Sequence, residues 1–186
     1  METKTAYKLF RTKNGKLYPL YVLSNKETPM GEWLPAENGI VAKDGKHVKS
    51  KLGELAYRPG WHLSDIPYAS HIGKKGPDGK LYQALDTVWC ECEYSATIDY
   101  QNEANERGTN PKTGKINAKL AQLNHIPTDG FYRYKTNPNM TGNWIIAGAV
   151  KVNRVISNDE VAEICREHGV APQPLETEMQ NASSVA

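Results

Sequence analysis

Two strand-like runs, Ala6–Thr12 and Lys16–Leu23, flank the dipeptide Asn14-Gly15, and that arrangement commits the chain to an antiparallel start. A two-residue Asn-Gly loop takes positive φ at both positions and closes a tight hairpin between its strands. Further turn dipeptides stand at Asp44-Gly45, Pro59-Gly60 and Asp78-Gly79, and strand-like stretches return at Thr87–Ile98, Phe131–Tyr134 and Trp144–Ile156. The absence of a regular strand–helix alternation with a glycine-rich first turn speaks against a doubly wound parallel sheet. The pattern predicts an α+β fold: a compact single domain with a curved, mainly antiparallel sheet and a few short helices.

Within Thr87–Ile98, alternation puts Val88, Cys90, Cys92 and Tyr94 on one face and Trp89, Glu91 and Glu93 on the other. Trp144, Ile146, Val150, Val152 and Ile156 read as core, with Val161 and Ile164 packed against them. Residues 24–54 form a long polar excursion that holds one short hairpin. Ser64 is placed to cap a short helix to about Ile72, ended by Gly73. Gln101–Gly114 reads as loop, and Ile116–Leu123 carries Ile116, Leu120 and Leu123 at helical spacing. The last helix has the clearest ends, with Ser157 and Glu160 in a capping box and Gly169 closing it. The domain therefore covers 1–170, and 171–186 reads as a flexible C-terminal tail, because two prolines and isolated apolar residues cannot offset the cost of ordering.

With 186 residues, 23 basic and 21 acidic side chains and a net charge of +2, the chain lacks the basic excess of a dedicated nucleic-acid binder. The lysines at 43, 46, 49 and 51 and at 74, 75 and 80 read as solvated loop residues. Three cysteines, Cys90, Cys92 and Cys165, are too few and too odd in number for a disulfide framework. Neither an apolar leader nor an apolar run of membrane-spanning length is present, so the expected setting is cytoplasmic, without membrane partners.

Leu55–Gly73 is the densest candidate binding segment. Tyr57 and Arg58 precede the Pro59-Gly60 turn and Trp61 and His62 follow it. Rings, a guanidinium and an imidazole beside a forced turn suit a flat, charged ligand, with Arg58 pairing to phosphate. The same residues also suit ordinary packing, with Trp61 in the core and His62 half-buried. Glu91 and Glu93 share one strand face, where repulsion would raise one pKa for acid–base work. A solvated strand face has the same look. Cys90 and Cys92 have zinc-ligand spacing but no second close pair, and buried small hydrophobes are the better reading. Asn143 and Trp144 stand at a loop-to-strand mouth, a favoured place for ligand contacts.

Taken in order, these pieces resemble the ADP-ribosyltransferase fold. That family has an opening strand with an Arg or His, matched by Arg11 on Tyr7–Arg11. Its middle strand reads Gly-aromatic-x-(Ser/Thr/His) and leads into Asp and Ala, matched over Gly60-Trp61-His62-Leu63-Ser64-Asp65 to Ala69. Its closing strand begins with a catalytic Glu, and here Asn143 stands at that place, before Trp144-Ile145-Ile146-Ala147-Gly148. The resemblance implies an NAD cofactor held by Arg11, Tyr57, Arg58, Trp61, His62, Ser64 and Trp144. Because an amide cannot act as the anionic partner of the ribose, it also implies that catalysis is lost or passes to Glu91 or Glu93. The chain is similar as well to small proteins of phages and mobile elements of gut bacteria, including pieces of polyvalent phage proteins. Two functions follow as expectations: an NAD-type nucleotide-binding domain, or a non-catalytic binding module of a mobile element with a protein target.

Overall fold

The Asn14-Gly15 turn forms as expected, with φ of 53° and 73° at its two residues, and joins β1 (Thr3–Lys13) to β2 (Lys16–Tyr18). The computed structural model describes residues 1–39, 41–56 and 58–179. Further strands are β3 (Trp33–Pro35), β4 (His47–Ser50), β5 (Gly53–Ala56), β6 (Trp61–Ser64), β7 (Lys74–Lys75), β8 (Leu81–Tyr82), β9 (Thr87–Ser95), β10 (Ile98–Asp99), β11 (Gly130–Tyr134), β12 (Trp144–Ala147) and β13 (Ala149–Val155). Two α-helices join them, α1 (Gln101–Gly108) and α2 (Asn158–Glu167). Nine of the strands make one sheet in the order β10-β11-β12-β6-β1-β9-β13-β3, with β2 alongside β1, and β10–β11 is its parallel pair. The fold is α+β with a mainly antiparallel sheet.

Apolar alternation along the strands folds this sheet over on itself. Ala6 and Phe10 of β1, Cys90, Cys92 and Tyr94 of β9 and Val150 and Val152 of β13 share one buried cluster with Leu63 of β6, Phe131 of β11 and Ile145 and Ala147 of β12. The half-sheet β2-β1-β9-β13-β3 thus faces the half-sheet β10-β11-β12-β6, and the rings of Tyr94 and Phe131 meet at 5.4 Å across the gap. Each half-sheet has a helix on its outer face. Val161 and Cys165 of α2 pack on Leu9 and Trp89, and Ala104 of α1 packs with Tyr132, Tyr134 and Ile146.

Trp144–Ile156, expected as one strand, is two. The chain leaves β12 and enters β13 on the opposite half-sheet through Gly148 alone. A Cβ at Gly148 would lie 1.8 Å from the Pro127 carbonyl oxygen, so only glycine fits that crossing. The strand therefore feeds two clusters, Ile146 on the α1 side and Val150 and Val152 between the halves. Trp144 is half-buried rather than enclosed.

Three local expectations are corrected. Ser64 is the last residue of β6, paired with both Tyr7 and Trp144, so it is not free to cap a helix, and 65–72 is a chain of turns. Ile116–Leu123 is not helical: Ile116 and Leu120 are exposed, and the Asn117 side chain accepts a local bond from the Lys119 N–H that competes with a helix. Instead, polar Gln101–Gly108 forms α1, which buries only Ala104 and Gly108 and so shows almost no apolar stripe. The excursion of 24–54 does hold a hairpin, most of β4–β5, but it also sends β3 into the main sheet.

The expected loose tail is docked over its first part. The Gln173 side-chain amide donates to the carbonyls of Ile72 and Leu81, Leu175 bridges Gln83, and Glu176 pairs with Lys74 at 2.7 Å. Residues 180–186 lie outside the described part. Among the described residues no helix is long and apolar enough to cross a membrane.

Candidate functional site

β1 pairs with β9 continuously from Thr3 to Arg11 but meets β6 only at Tyr7–Ser64, while β6 pairs with β12 along its whole length. The two half-sheets are therefore hinged at a single ladder pair and splay apart beyond it. A cavity of about 740 Å³ opens there, walled by the segments 19–23 and 34–39 and lined by Lys8, Trp61, His62, Ser64, His71 and Trp144. Its size is that of a small-molecule site. Arg58 stands at the same cavity, its Nε bonded to Gln122 at 3.1 Å and its guanidinium 5.0 Å from the Tyr134 ring centre.

His62 and Trp61 point to opposite faces of β6. Trp61 packs toward the inter-sheet core and donates its indole N–H to the Leu34 carbonyl at 3.0 Å. The His62 ring stands edge-on to Trp144 at 6.2 Å, with Nδ1 3.2 Å from the Gly60 carbonyl oxygen. Removal from water, together with the positive charge of Lys8, pushes its pKa down to about 4, so the ring is neutral at pH 7. Nδ1 then donates to Gly60, which leaves Nε2 as an acceptor. The exposed His71 ring also stands edge-on to Trp144, at 5.6 Å.

A second hollow, about 340 Å³, adjoins the first and shares Ser64, His71, Thr136 and Trp144 with it. Asp65, Ser70, Asn137, Asn139, Thr141 and Asn143 give it more polar groups than the first, beside the apolar Ile66, Tyr68 and Met140. Asn143 is here and not in the larger cavity. Its backbone N–H donates to Asp65 Oδ1 at 2.9 Å and its side-chain amide to Asp65 Oδ2 at 3.1 Å. Where the resemblance expects a carboxylate, this chain holds an amide clasped to a neighbouring one.

No family model, curated protein or solved structure matches this chain.

The remaining candidates separate. Arg58, Trp61, His62, Ser64 and Trp144 converge on the large cavity. Arg11 does not: its Nη2 donates to the Ser24 carbonyl at 2.7 Å and its guanidinium lies over Tyr18, away from both hollows. Tyr57 lies outside the described residues. Glu91 and Glu93 line neither hollow. Glu91 pairs with Arg154 at 3.0 Å and Glu93 with Lys151 at 2.9 Å. Lys151 and Asn153 hold the Glu93 carboxyl below its ordinary pKa, the opposite of the rise that mutual repulsion would cause. Cys90 and Cys92 are buried thiols, pushed up to about 12 by desolvation, and pack as small hydrophobes.

Sequence reading passed over Lys8, the pairing of Asp65 with Asn143 and the place of His71 beside Trp144. Lys8 had a signal: it alternates with Ala6 and Phe10 on the inward face of β1, where a lysine is out of place. The Asp65–Asn143 pairing had none, because it spans 78 residues of chain.

Proposed function

We propose that this chain is a nucleotide-binding domain of the NAD-binding type that does not cleave its ligand. The observation that carries the reading is the junction of a mainly apolar, aromatic cavity with a more polar hollow at Ser64 and Trp144. A flat ring fits the first and a hydroxyl-rich sugar the second, and a nucleotide joins the two chemistries at the scale of the combined space. Arg58 supplies a guanidinium for phosphate, and neutral His62 supplies an acceptor for a hydroxyl or ring N–H. Against cleavage stand the ion pairs of Glu91 and Glu93 outside the hollows and the amide at Asn143.

Calorimetry with NAD should show saturable binding, and prolonged incubation should leave the nicotinamide bond intact. His62→Ala should weaken NAD by roughly 1–2 kcal/mol, one hydrogen bond's worth, without loss of fold. Absence of any heat with NAD, ADP or adenosine would overturn the reading. Release of nicotinamide by the parent chain would overturn its non-catalytic half.

A second reading, a binding module of a phage or mobile element with a protein target, is favoured by the same engagement of every candidate carboxylate. Under it the cavity receives a partner's side chain, and nucleotides leave the melting temperature unchanged.

A further inference from the structure

Lys8 is out of place for a structural lysine. It projects from the inward face of β1, between Ala6 and Phe10, both fully buried. Its ammonium lies 5.6 Å from the Phe10 ring centre and 5.9 Å from that of Trp61, and it donates to the His62 carbonyl oxygen at 3.0 Å. An ammonium has three donors, and among the described residues this is the one hydrogen bond it makes. No carboxylate of the described residues lies within ion-pair distance of it. Of the glutamates on the cavity wall, Glu27 pairs with Lys16 and Glu37 with Lys26. Among the described residues, then, the Lys8 ammonium at the cavity has given up hydration on folding and has no counter-ion.

We propose that Lys8 is the anion anchor of the cavity, so that the ligand is a flat molecule carrying a phosphate-type or sulfonate-type charge seated against the Lys8 ammonium beside Trp61. The inference rests on the nucleotide reading for the identity of the ligand but not for the sign of its charge. The missing counter-ion is the ligand's own anion, whose oxygens would accept the remaining N–H donors. A lysine retained at the expense of stability is the pattern expected where binding rather than folding requires it. Desolvation also pulls its pKa down to about 8, which still leaves it mostly charged at pH 7.

The test compares ADP with adenosine by calorimetry at pH 7 on the full chain, on Lys8→Met and on Lys8→Gln, with thermal melts alongside. Gln keeps a donor for the His62 carbonyl without the charge, and so serves if the Met variant does not fold. The expected result is at least a tenfold loss of ADP affinity with adenosine affinity unchanged, in variants that melt at or above the parent temperature. Unchanged ADP affinity, or equal losses for ADP and adenosine, would overturn the proposal while leaving the nucleotide reading intact. If neither nucleotide binds the parent, that reading fails, and the anchor is then tested with the fluorescent sulfonate 1-anilinonaphthalene-8-sulfonate. Binding to the parent that is lost in Lys8→Gln supports the anchor; equal binding to both, or none to the parent, removes it.

Discussion

At the scale of single residues, His62 ties the site to the stability of the fold. Its folded pKa of about 4 lies below the ordinary 6.5, so the neutral ring is the form that the fold favours. The stabilisation is complete above about pH 6.5 and is lost as pH falls toward 4, where the buried ring must charge beside Lys8 and Arg58. The full difference is on the order of 3 kcal/mol. Urea unfolding at pH 7 and pH 4.5 should show a smaller acid-dependent loss in His62→Gln than in the parent. Parallel losses in the two proteins would mean that the ring is not withdrawn from water as described. Lys8 acts in the same direction over a different window. Its depressed pKa means that the unfolded chain binds more protons between about pH 8 and 10.5, so stability rises there with pH.

At the scale of elements, the C-terminal segment is more than an appendage. Gln173 donates to the carbonyls of Ile72, on a turn, and Leu81, in β8, Glu176 accepts from the Leu85 N–H at 2.7 Å and pairs with Lys74, and Leu175 bridges Gln83 in parallel. The paired carbonyls of Ile72 and Leu81 border the turns that carry His71 to the cavity. Truncation after Gly169 should therefore lower the melting temperature by at least about 5 °C, from two or three hydrogen bonds of about 1 kcal/mol each. A truncated chain that melts with the parent would show that this docking contributes nothing. α2 needs no such help. The Ser157 hydroxyl accepts the Glu160 N–H at 3.2 Å, Gly169 ends the helix, and Val161 and Cys165 bury its inner stripe.

At the scale of the whole molecule, two features make the site: the single-pair hinge between β1 and β6 and the one-residue crossing from β12 to β13. The first lets the half-sheets part and leaves a cavity. The second ties β12 of one half-sheet to β13 of the other, so that the parting cannot widen into two separate layers. Gly148→Ala should cost more than about 3 kcal/mol, because the new methyl meets backbone at Pro127 that no rotamer change can move away. A variant that unfolds at the parent's denaturant midpoint would show that the crossing is looser than its contacts indicate.

Period-two alternation and turn chemistry are local, and what depends on them was legible in the chain itself. The Asn14-Gly15 hairpin, the two faces of β9 with buried Cys90 and Cys92, the capped α2 and the antiparallel α+β class all follow from neighbours within a few residues. The grouping of Arg58, Trp61 and His62 at one turn was legible for the same reason. Partners distant in sequence decided the rest. Ser64 became strand instead of helix cap because Tyr7 and Trp144 bracket it. Arg11 was drawn away by the Ser24 carbonyl, and Glu91 and Glu93 were neutralised by β13 through a pairing some 60 residues away. The cavity itself is the extreme case. It exists because β1 and β6 stop hydrogen-bonding after one pair, and where a ladder ends depends on the packing of both half-sheets rather than on the residues of either strand.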